Sequence, residues 1–470
     1  MSEGQISPAG APPDVSPRLM SLDALRGFDM FWIIGAEELF HALNKMSDRG
    51  IIRTLAEQLT HEDWEGFRFY DLIFPLFVFI VGVSLVFSLS KSIETAGKAA
   101  ALRRIFRRGL LLFALAIIYS GGFSREWPDI RLLGVLNRIA LCYLFAGLIF
   151  CFFRLKGMLA ICASLLIGYW ALMTFVPFPD VRPVPGSPQT IAKETGFTNV
   201  TQLNLASTNV ISGLYIKGVN LANYLDQAYL PGKKWDGTWD PEGFLSTLPA
   251  VATCLLGVFA GLLLRNNRIE QRRKVHYLLF AGLAGVVLGH LWGFQFPIIK
   301  KIWTSSYVLV AGGYSALLLG FFCLVVDVWK CQKWCRPFVW IGMNSITVYL
   351  ANNIINFDRL GLRFAGGSIN ELRVDVEPYS IGETDIFRLT GSQVQHEMLS
   401  LRHGGRDLVR GGRIVPEEHG FNLGLTDYFS VNRDLRLICL AEAVRAVEVD
   451  PGLVGAEWRQ CALDAAELRR

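Results

Sequence analysis

Hydrophobic residues along the chain form runs that are long enough to cross a bilayer. A helix of about 20 apolar residues spans the roughly 30 Å hydrocarbon core, and such runs recur through the first three quarters of the sequence. Polar or charged connections separate them. The runs lie at 21–43, 69–90, 101–120, 131–152, 157–177, 244–264, 275–293, 304–327 and 337–356. The pattern predicts an all-α fold, a polytopic transmembrane helix bundle with about nine spans.

The charges in the connections predict how the bundle is oriented. Every second connection between the spans, four in all, is rich in Lys and Arg. The positive-inside rule assigns these four connections to the cytoplasm together with the N-terminus. These connections read KSIETAGKAAALRRIFRR, FRLKG, RNNRIEQRRK and VWKCQKWCRP. The connections at 44–68, 178–243 and 294–303 then face the outside. The orientation therefore places His61 at the outer face of the membrane.

Composition narrows the class of protein further. Of the 470 residues, 52% are hydrophobic and 19% are charged, which is typical of an integral, multi-pass membrane protein. The net charge of +5 reflects the loop arginines, and nucleic-acid binding is not expected. The nine cysteines are scattered singly, mostly inside apolar runs, so we interpret them as buried thiols and predict no metal site.

The same patterns divide the chain into three regions. Residues 1–18 are polar and rich in proline, and residues 19–370 hold the helix bundle with an external loop at 178–243. Residues 371–470 are charged and contain no apolar span, so they form an atypical polar tail. The alternation of the spans places this tail outside.

Ionisable residues inside apolar spans cost roughly 2.5–3.5 kcal/mol each, so each of them indicates a partner or a function. In the first span, Asp23 and Arg26 are three residues apart, which favours a structural ion pair on one helical face. Glu37 and Glu38 lie about 15 Å further along the helix, at the depth where the second span begins. These two glutamates are candidates for a site shared with His61.

The segment HEDWEGFRFYDLIFPLFVF places titratable residues directly before the second span. His61 is the sharpest candidate in it, because an imidazole serves as a general base or nucleophile near neutral pH. Asp71, ten residues later, either caps the helix or acts as a functional carboxylate that fixes the imidazole tautomer, and the two roles are compatible. Pro75 removes the helical partner of the Asp71 carbonyl, which leaves a polar opening beside the helix.

Other polar residues in the apolar runs have two interpretations each. Arg138 requires an anion, which either the protein or a ligand supplies. Asn344 and Ser345 are typical of hydrogen bonds between packed helices and also of a polar pocket. Arg104 and Arg108, in the segment LRRIFRR, either hold their loop in the cytoplasm or bind an anionic ligand.

Six segments within residues 18–370 carry recognisable motifs. They read SLDALRGFDMFWIIG, HEDWEGFRFYDLIFPLFVFIVG, RLLGVLNRIALCYLF, DPEGFLSTLPAVATCLLGVFAG, KKIWTSSYVLVAGG and GMNSITVYL. In this order they resemble the signatures of the heparan-α-glucosaminide N-acetyltransferase family, and most closely its compact bacterial relatives. The resemblance implies at least one helix beyond the nine spans and a location in the bacterial inner membrane.

The resemblance also implies a reaction, the transfer of an acetyl group from cytoplasmic acetyl-CoA to an extracytoplasmic amino sugar or glycan. Acetyl-CoA is then a co-substrate, and no cofactor is bound permanently. His61, in the family's His-x-x-Trp-x-Gly motif, is implied as base or nucleophile, and Asp71 matches the acidic residue that opens the next helix. The other members of the expected site line the substrate pocket or hold the donor. For the pocket these are Trp64, Gly66, Glu37, Glu38, Arg138, Asn344 and Ser345, and for acetyl-CoA they are Arg104 and Arg108.

Three departures from the family pattern limit what the resemblance implies. Relatives normally finish with a further apolar helix after the GMNS span, whereas this chain continues into the charged tail, so we interpret the tail as an altered reading frame or a fusion. The large luminal region of the animal enzymes is missing, so heparan itself is not the expected acceptor. Glu37 and Glu38 stand where the animal enzyme has a polar uncharged residue, which leaves the identity of the acceptor open. The lipid bilayer is an expected partner, and a homodimer is an open alternative.

Two alternative functions remain open on the sequence. A transporter or flippase would use the buried charges to line a path for a solute or for protons. Turnover of acyl-CoA distinguishes this alternative from an acyltransferase, because a transporter leaves the thioester intact. The atypical tail also permits a degenerate chain with neither activity.

Overall fold

The computed structural model describes residues 19–46, 50–122, 124–181 and 209–354. The predictions for residues 1–18, for part of the external loop and for the tail 371–470 lie outside the described residues. Within those residues the chain is mostly helical, as predicted. The exception is a pair of two-residue antiparallel strands, β1 Phe178–Pro179 and β2 Val210–Ile211.

The α-helices of the described ranges are numbered here in chain order. They are α1 Met20–Phe31, α2 Glu37–Met46, α3 Gly50–Gln58, α4 Phe69–Tyr119, α5 Val135–Phe152, α6 Leu155–Phe175, α7 Leu221–Tyr229, α8 Thr247–Arg265, α9 Gln271–Gly293, α10 Ser305–Phe322, α11 Arg336–Met343 and α12 Ser345–Ile354. Two π-helical segments, Trp32–Ala36 and Cys323–Val328, and a 3-10 turn, Trp127–Asp129, complete the set.

Among the described residues, six helices are long and apolar enough to cross a membrane. They are α4, α5, α6, α8, α9 and α10 with its π-helical extension. The polytopic helical bundle is therefore present, whereas the count of nine spans is not confirmed. One reason is that α4 contains both predicted spans at 69–90 and 101–120 in 51 residues, and its backbone leaves helical geometry at Gly97, where φ is +79°.

The first predicted span, 21–43, is interrupted in its middle. α1 passes into the π-helical segment Trp32–Ala36, and Gly35 adopts φ of +117°, a conformation that favours glycine. π-helical segments inside helices are frequent at functional sites. Here the segment separates Asp29 from Glu37, so these two side chains do not follow regular α-helical spacing.

The ninth predicted span, 337–356, is also divided. α11 ends at Met343. Its C-cap Asn344 has φ of −116° and ψ of 20°, which are not helical, and α12 begins at the next residue. Gly342, just before the break, packs tightly on α1, because a Cβ atom there would lie 2.0 Å from the carbonyl oxygen of Asp23. The segment GMNS therefore combines a close helix contact with a helix break.

Close backbone contact also joins α4 to α8. A Cβ atom added to Gly82 would lie 2.0 Å from the carbonyl oxygen of Cys254, and one added to Gly257 would lie 2.0 Å from that of Phe79. Small residues at such contacts are typical of packed membrane helices. The pairing fixes the N-terminal half of α4, which begins two residues before Asp71.

The predicted orientation is testable with reporters fused to the full chain. We expect a reporter after Lys98 or after Arg268 to lie in the cytoplasm and one near Gly232 to lie outside, because basic connections stay on the cytoplasmic side. Paired alkaline phosphatase and fluorescent protein fusions measure both locations. The reverse pattern at two of the three positions would contradict the orientation and the external position of His61.

Candidate active site

The loop that carries His61 is pinned to the connection between α9 and α10. The amide of Gly66 donates to the carbonyl of Ile298 at 2.9 Å, and Glu65 forms an isolated antiparallel bridge with Ile299. Gly66 has φ of +135°, and a Cβ atom there would lie 3.0 Å from the Glu62 side chain. The glycine of the motif is therefore required by the backbone, whatever else it contacts.

Trp64 fastens the same loop to the segment before α7. Its indole N–H donates to the carbonyl of Tyr215 at 2.6 Å, and its ring packs edge-to-face on Trp239 with centroids 5.7 Å apart. Aromatic pairs of this geometry stabilise a fold beyond their buried area. The contacts described for Trp64 thus support the position of His61, and its predicted role in binding substrate stays a prediction.

Asp71 connects His61 to the start of α4. Its carboxylate is fully buried, and Oδ1 lies 2.9 Å from Nδ1 of His61. Oδ2 accepts the backbone N–H groups of Glu62 at 3.2 Å and Arg68 at 3.1 Å. Arg68 is the N-cap, so the prediction of Asp71 as the cap itself is wrong by three residues. Asp71 instead occupies the third helical position and reaches back to the cap, as in a capping box.

The carbonyl of Asp71 is also accounted for. Pro75 has no N–H to donate to it, and the hydroxyl of Tyr307 on α10 donates to this oxygen at 2.8 Å. The helix continues through the proline, since the residue of α4 with non-helical angles is Gly97. Both oxygens of the side chain and the main-chain oxygen of Asp71 are therefore held by other parts of the protein.

Lys300 completes the cluster, and sequence reasoning missed it. Its ammonium lies 2.9 Å from Nδ1 and 3.2 Å from Nε2 of His61, and 3.3 Å from Oδ1 of Asp71. The available signal was a pair of lysines, Lys300 and Lys301, in a short connection that the positive-inside rule assigns to the outside. A basic pair there has no topological explanation and indicates a local partner.

These surroundings favour the neutral imidazole. Burial and the adjacent ammonium of Lys300 lower the pKa of His61, and together they outweigh the hydrogen bond and charge of Asp71, which raise it. Burial also lowers the pKa of Lys300, against the attraction of Asp71. His61 itself is about half exposed, with 47% of its side-chain surface accessible. The groups packed around the imidazole thus favour its neutral form, while part of its surface stays open to solvent.

Glu37 reaches the same cluster through Tyr70. The hydroxyl of Tyr70 lies 2.5 Å from Oε1 of Glu37, and its ring lies 4.6 Å from the imidazole of His61. The other oxygen, Oε2, is buried and has no hydrogen-bond partner among the described residues. The predicted proximity of Glu37 to His61 is therefore present in the structure. The side chain of Glu38 lies outside what the structure describes.

Arg138 lies deeper in the bundle, behind this cluster. Its Nη2 donates to the hydroxyl of Ser246, and its guanidinium lies 4.8 Å from the ring of Trp303. Trp303 packs in turn on Tyr307 at 5.3 Å, the residue that holds the carbonyl of Asp71. Nε and Nη1 of Arg138 are buried without a partner among the described residues. Two N–H-bearing atoms of a buried cation are therefore available to an acceptor.

Two acidic residues, Asp240 and Glu242, come shortly before Ser246 in the chain, and a different arginine binds them. Arg131 makes a bidentate pair with Asp240 at 2.7 and 2.6 Å and also contacts the carboxylate of Glu242. Asp240 additionally accepts the amide of Trp235 at 3.1 Å. This second charged cluster was not predicted, because Arg131 is more than a hundred residues from both of its acidic partners.

The remaining predicted site residues have their described contacts elsewhere. Asn344 donates to the carbonyl of Trp340 at 3.1 Å within its own helical segment, and Ser345 is buried at the start of α12. Arg104 is exposed on α4, and Arg108 lies 5.3 Å from the ring of Tyr143. The predicted pair of Asp23 and Arg26 is present at 3.1 Å. The arginine also donates to Ser84 at 2.7 Å.

A helical membrane bundle with a buried carboxylate, an imidazole and a lysine at one end defines an integral membrane protein with a polar site. A family model described as heparan-α-glucosaminide N-acetyltransferase, catalytic, matches residues 18–195. The chain is 27% identical over 379 residues to the human protein named heparan-α-glucosaminide N-acetyltransferase, covering 72% of this chain and 53% of that protein. The mouse protein of the same name is 27% identical over 330 residues, with coverage of 63% and 49%.

These matches confirm the resemblance that the motifs indicate, and the chain is similar to these proteins. It spans about half the length of the curated relatives that it matches.

Proposed function

We propose that the protein is a transmembrane acyltransferase. It moves an acetyl group from cytoplasmic acetyl-CoA to an amine or hydroxyl of an extracytoplasmic sugar or related acceptor. The single observation that carries the proposal is the contact of His61 with the buried Asp71 at the mouth of a membrane bundle. The names of the human and mouse relatives, both N-acetyltransferases, support the same reaction.

The geometry supports a defined sequence of bond changes. With the Nδ1 proton of His61 directed to Asp71, Nε2 is an acceptor and takes the proton of the attacking amine or hydroxyl. The new bond forms between that nitrogen or oxygen and the thioester carbon, and the carbon–sulfur bond breaks. CoA leaves as a thiolate and receives the proton from His61. In the variant with a covalent intermediate, the same Nε2 attacks the thioester first.

Glu37 supports recognition of the acceptor. Its unpartnered Oε2 accepts a hydrogen bond from a hydroxyl or an ammonium, both of which an amino sugar offers. Binding such a group there would satisfy a buried oxygen, which otherwise destabilises the folded protein. The proposal for the acceptor therefore remains a sugar amine or hydroxyl, and heparan itself is not implied.

The donor enters from the cytoplasmic side in this proposal. The head of acetyl-CoA is strongly anionic and stays outside the hydrocarbon core, so its pantetheine arm must reach toward His61. Arg104 and Arg108 on α4 are the proposed anchors, because their charges complement the phosphates. The neighbouring Arg103 and Arg107 instead line an apolar groove between α4 and α5.

Neutralising Arg104 and Arg108 together tests the proposed anchor. We expect the Michaelis constant for acetyl-CoA to rise roughly tenfold or more, because charge-assisted hydrogen bonds contribute about 1.5–3 kcal/mol each. The affinity for the acceptor stays unchanged. Neutralising Arg103 and Arg107 is the matched control. If both double variants lower only insertion, with a normal Michaelis constant in the protein that survives, the arginines serve topology alone.

The decisive experiment for the reaction uses the purified full chain in lipid nanodiscs. Labelled acetyl-CoA is incubated with a panel of amino sugars and cell-wall fragments, and both free CoA and acetylated product are measured. Stoichiometric release of CoA with formation of one acetylated product supports the acyltransferase. An intact thioester with every acceptor contradicts it.

A transporter is the second candidate, and one feature favours it. Asp29 is fully buried beside the π-helical segment of the first span, and neither carboxylate oxygen has a partner among the described residues. Buried carboxylates of this kind are typical of proton and solute paths. Uptake of labelled solute by proteoliposomes, with acetyl-CoA left intact, would support this candidate instead.

A further inference from the structure

Lys300 is held by its own connection so that its side chain reaches His61. Its carbonyl accepts the amide of Trp303 at 2.9 Å, which closes a tight turn between α9 and α10. Only 20% of its side-chain surface is exposed. The side chain of the adjacent Lys301 has a different partner, the carboxylate of Asp236 at 3.1 Å. The two neighbouring lysines therefore have different partners.

The contacts around Nδ1 of His61 cannot all form in one protonation state. An ammonium is a donor only, so Lys300 needs a lone pair on the ring nitrogen that it contacts. The carboxylate of Asp71 is an acceptor only, so it needs a proton on that same Nδ1. With the Nδ1 proton directed to Asp71, Lys300 therefore makes no hydrogen bond to Nδ1. Its ammonium lies within 3.2 Å of both ring nitrogens, a position over the face of the ring, so it acts on the imidazole through its charge.

We propose that Lys300 is a positioning residue that keeps the imidazole of His61 neutral, with its proton on Nδ1 and its lone pair on Nε2. The ammonium acts on the ring from its face, so the in-plane lone pair on Nε2 stays open to the acceptor. Two positive charges side by side repel, so a protonated imidazole is disfavoured next to Lys300. For its consequence in catalysis this inference rests on the proposed function, whereas the protonation of His61 is independent of it.

Several other charged groups face His61 and also influence its protonation. Asp71 favours the imidazolium through its hydrogen bond and its charge, whereas Lys301 opposes it more weakly than Lys300 does. The ring of Tyr70 covers one side and leads to Glu37. Burial opposes the imidazolium as well. Removing Lys300 leaves Asp71 as the nearest charge, so the pKa of His61 is expected to rise.

Lys300→Met tests this expectation in the purified full chain. The titration of His61 is followed by NMR of carbon-labelled histidine, with the signal assigned by its loss in His61→Gln. We expect the midpoint of His61 to move to higher pH in Lys300→Met and in Lys300→Gln. Lys300→Arg, which keeps the charge, restores the midpoint. Lys301→Met is the matched control and produces a smaller shift.

The rate of acetyl transfer provides the second readout. Because only the neutral imidazole accepts a proton, the acid limb of kcat/KM moves to higher pH in Lys300→Met, and the rate below the new midpoint falls by roughly threefold or more. A role in folding alone would lower the yield or the melting temperature without moving this limb. If Lys300→Met does not fold, the same kinetic test is made with Lys300→Gln, which retains a polar side chain.

The outcomes separate this inference from the proposed reaction. A shifted NMR midpoint in a protein that transfers no acetyl group supports the role of Lys300 and contradicts the acyltransferase. Acetyl transfer with an unchanged midpoint and an unchanged acid limb in both neutral variants overturns the role of Lys300. An equal shift in Lys301→Met also overturns it, because the effect would then be one of general surface charge.

Discussion

Replacing His61 by alanine is expected to abolish acetyl transfer while the protein still folds and binds acetyl-CoA. General acid–base and nucleophilic roles of a side chain contribute about 10²–10⁴-fold to a rate. The imidazole is half exposed, so its loss leaves no large cavity in the core. Initial rates of acetyl transfer and a binding isotherm for acetyl-CoA, both with the purified chain in nanodiscs, measure the two properties separately.

His290 offers a matched control for this substitution. It lies on the exposed side of α9, and its Nδ1 contacts the carbonyl of Val286 in the same helix at 2.9 Å. We expect His290→Ala to retain the rate of the unmodified protein. A rate for His61→Ala within about threefold of the unmodified protein would remove His61 from the mechanism, because that factor is smaller than any base contributes.

The parts of the fold that sequence predicted well are those governed by local hydrophobicity. The apolar runs correspond to helices because a buried backbone must satisfy its hydrogen bonds within each span. The breaks were missed, since a single Gly35 or Asn344 inside an apolar run has no compositional signal. The count of nine spans is not confirmed for a related reason, because the polar connection is helical on both sides of Gly97 and the backbone leaves helical geometry at that residue, without a longer loop.

The contacts of the candidate site likewise fall into two groups, those that local sequence predicts and those that it does not. Asp71 was predicted beside His61 because only ten residues separate them, so the turn between them limits their distance. Lys300 is 239 residues from His61, and no local pattern reports such a contact. Arg131 and Asp240 are likewise 109 residues apart. Their meeting depends on how the outer ends of the helices pack, which single-sequence patterns do not determine.

The two charged clusters differ in how their charges are balanced. The carboxylates of Asp240 and Glu242 are bound directly by Arg131. At His61 one buried carboxylate serves an imidazole and an ammonium at once. A cluster in which groups compete for the same proton is poised to change its protonation, whereas a closed ion pair is not. This contrast favours the proposed chemistry at the first cluster and structural support at the second.

Asp71→Asn is expected to lower kcat/KM by about 10–10³-fold, less than the loss of His61 itself. The amide still accepts the backbone N–H groups of Glu62 and Arg68 through its oxygen. Its NH₂ group then faces Nδ1 of His61 as a donor, so Nδ1 becomes an acceptor and the proton moves to Nε2. The base at Nε2 is lost in that tautomer. Kinetics over a range of pH measure the effect.

Two further measurements test the role of Asp71. They are the direction in which the acid limb moves in Asp71→Asn and the stability of Asp71→Ala. Asp71 raises the pKa of His61, so its neutral replacement lowers that pKa, and the acid limb moves to lower pH, opposite to Lys300→Met. Asp71→Ala also leaves two backbone N–H groups without an acceptor, which destabilises the folded state by about 1–3 kcal/mol. A lower melting temperature for the alanine variant than for the asparagine variant checks this. An acid limb that moves to higher pH in Asp71→Asn would contradict the assigned charge of Asp71.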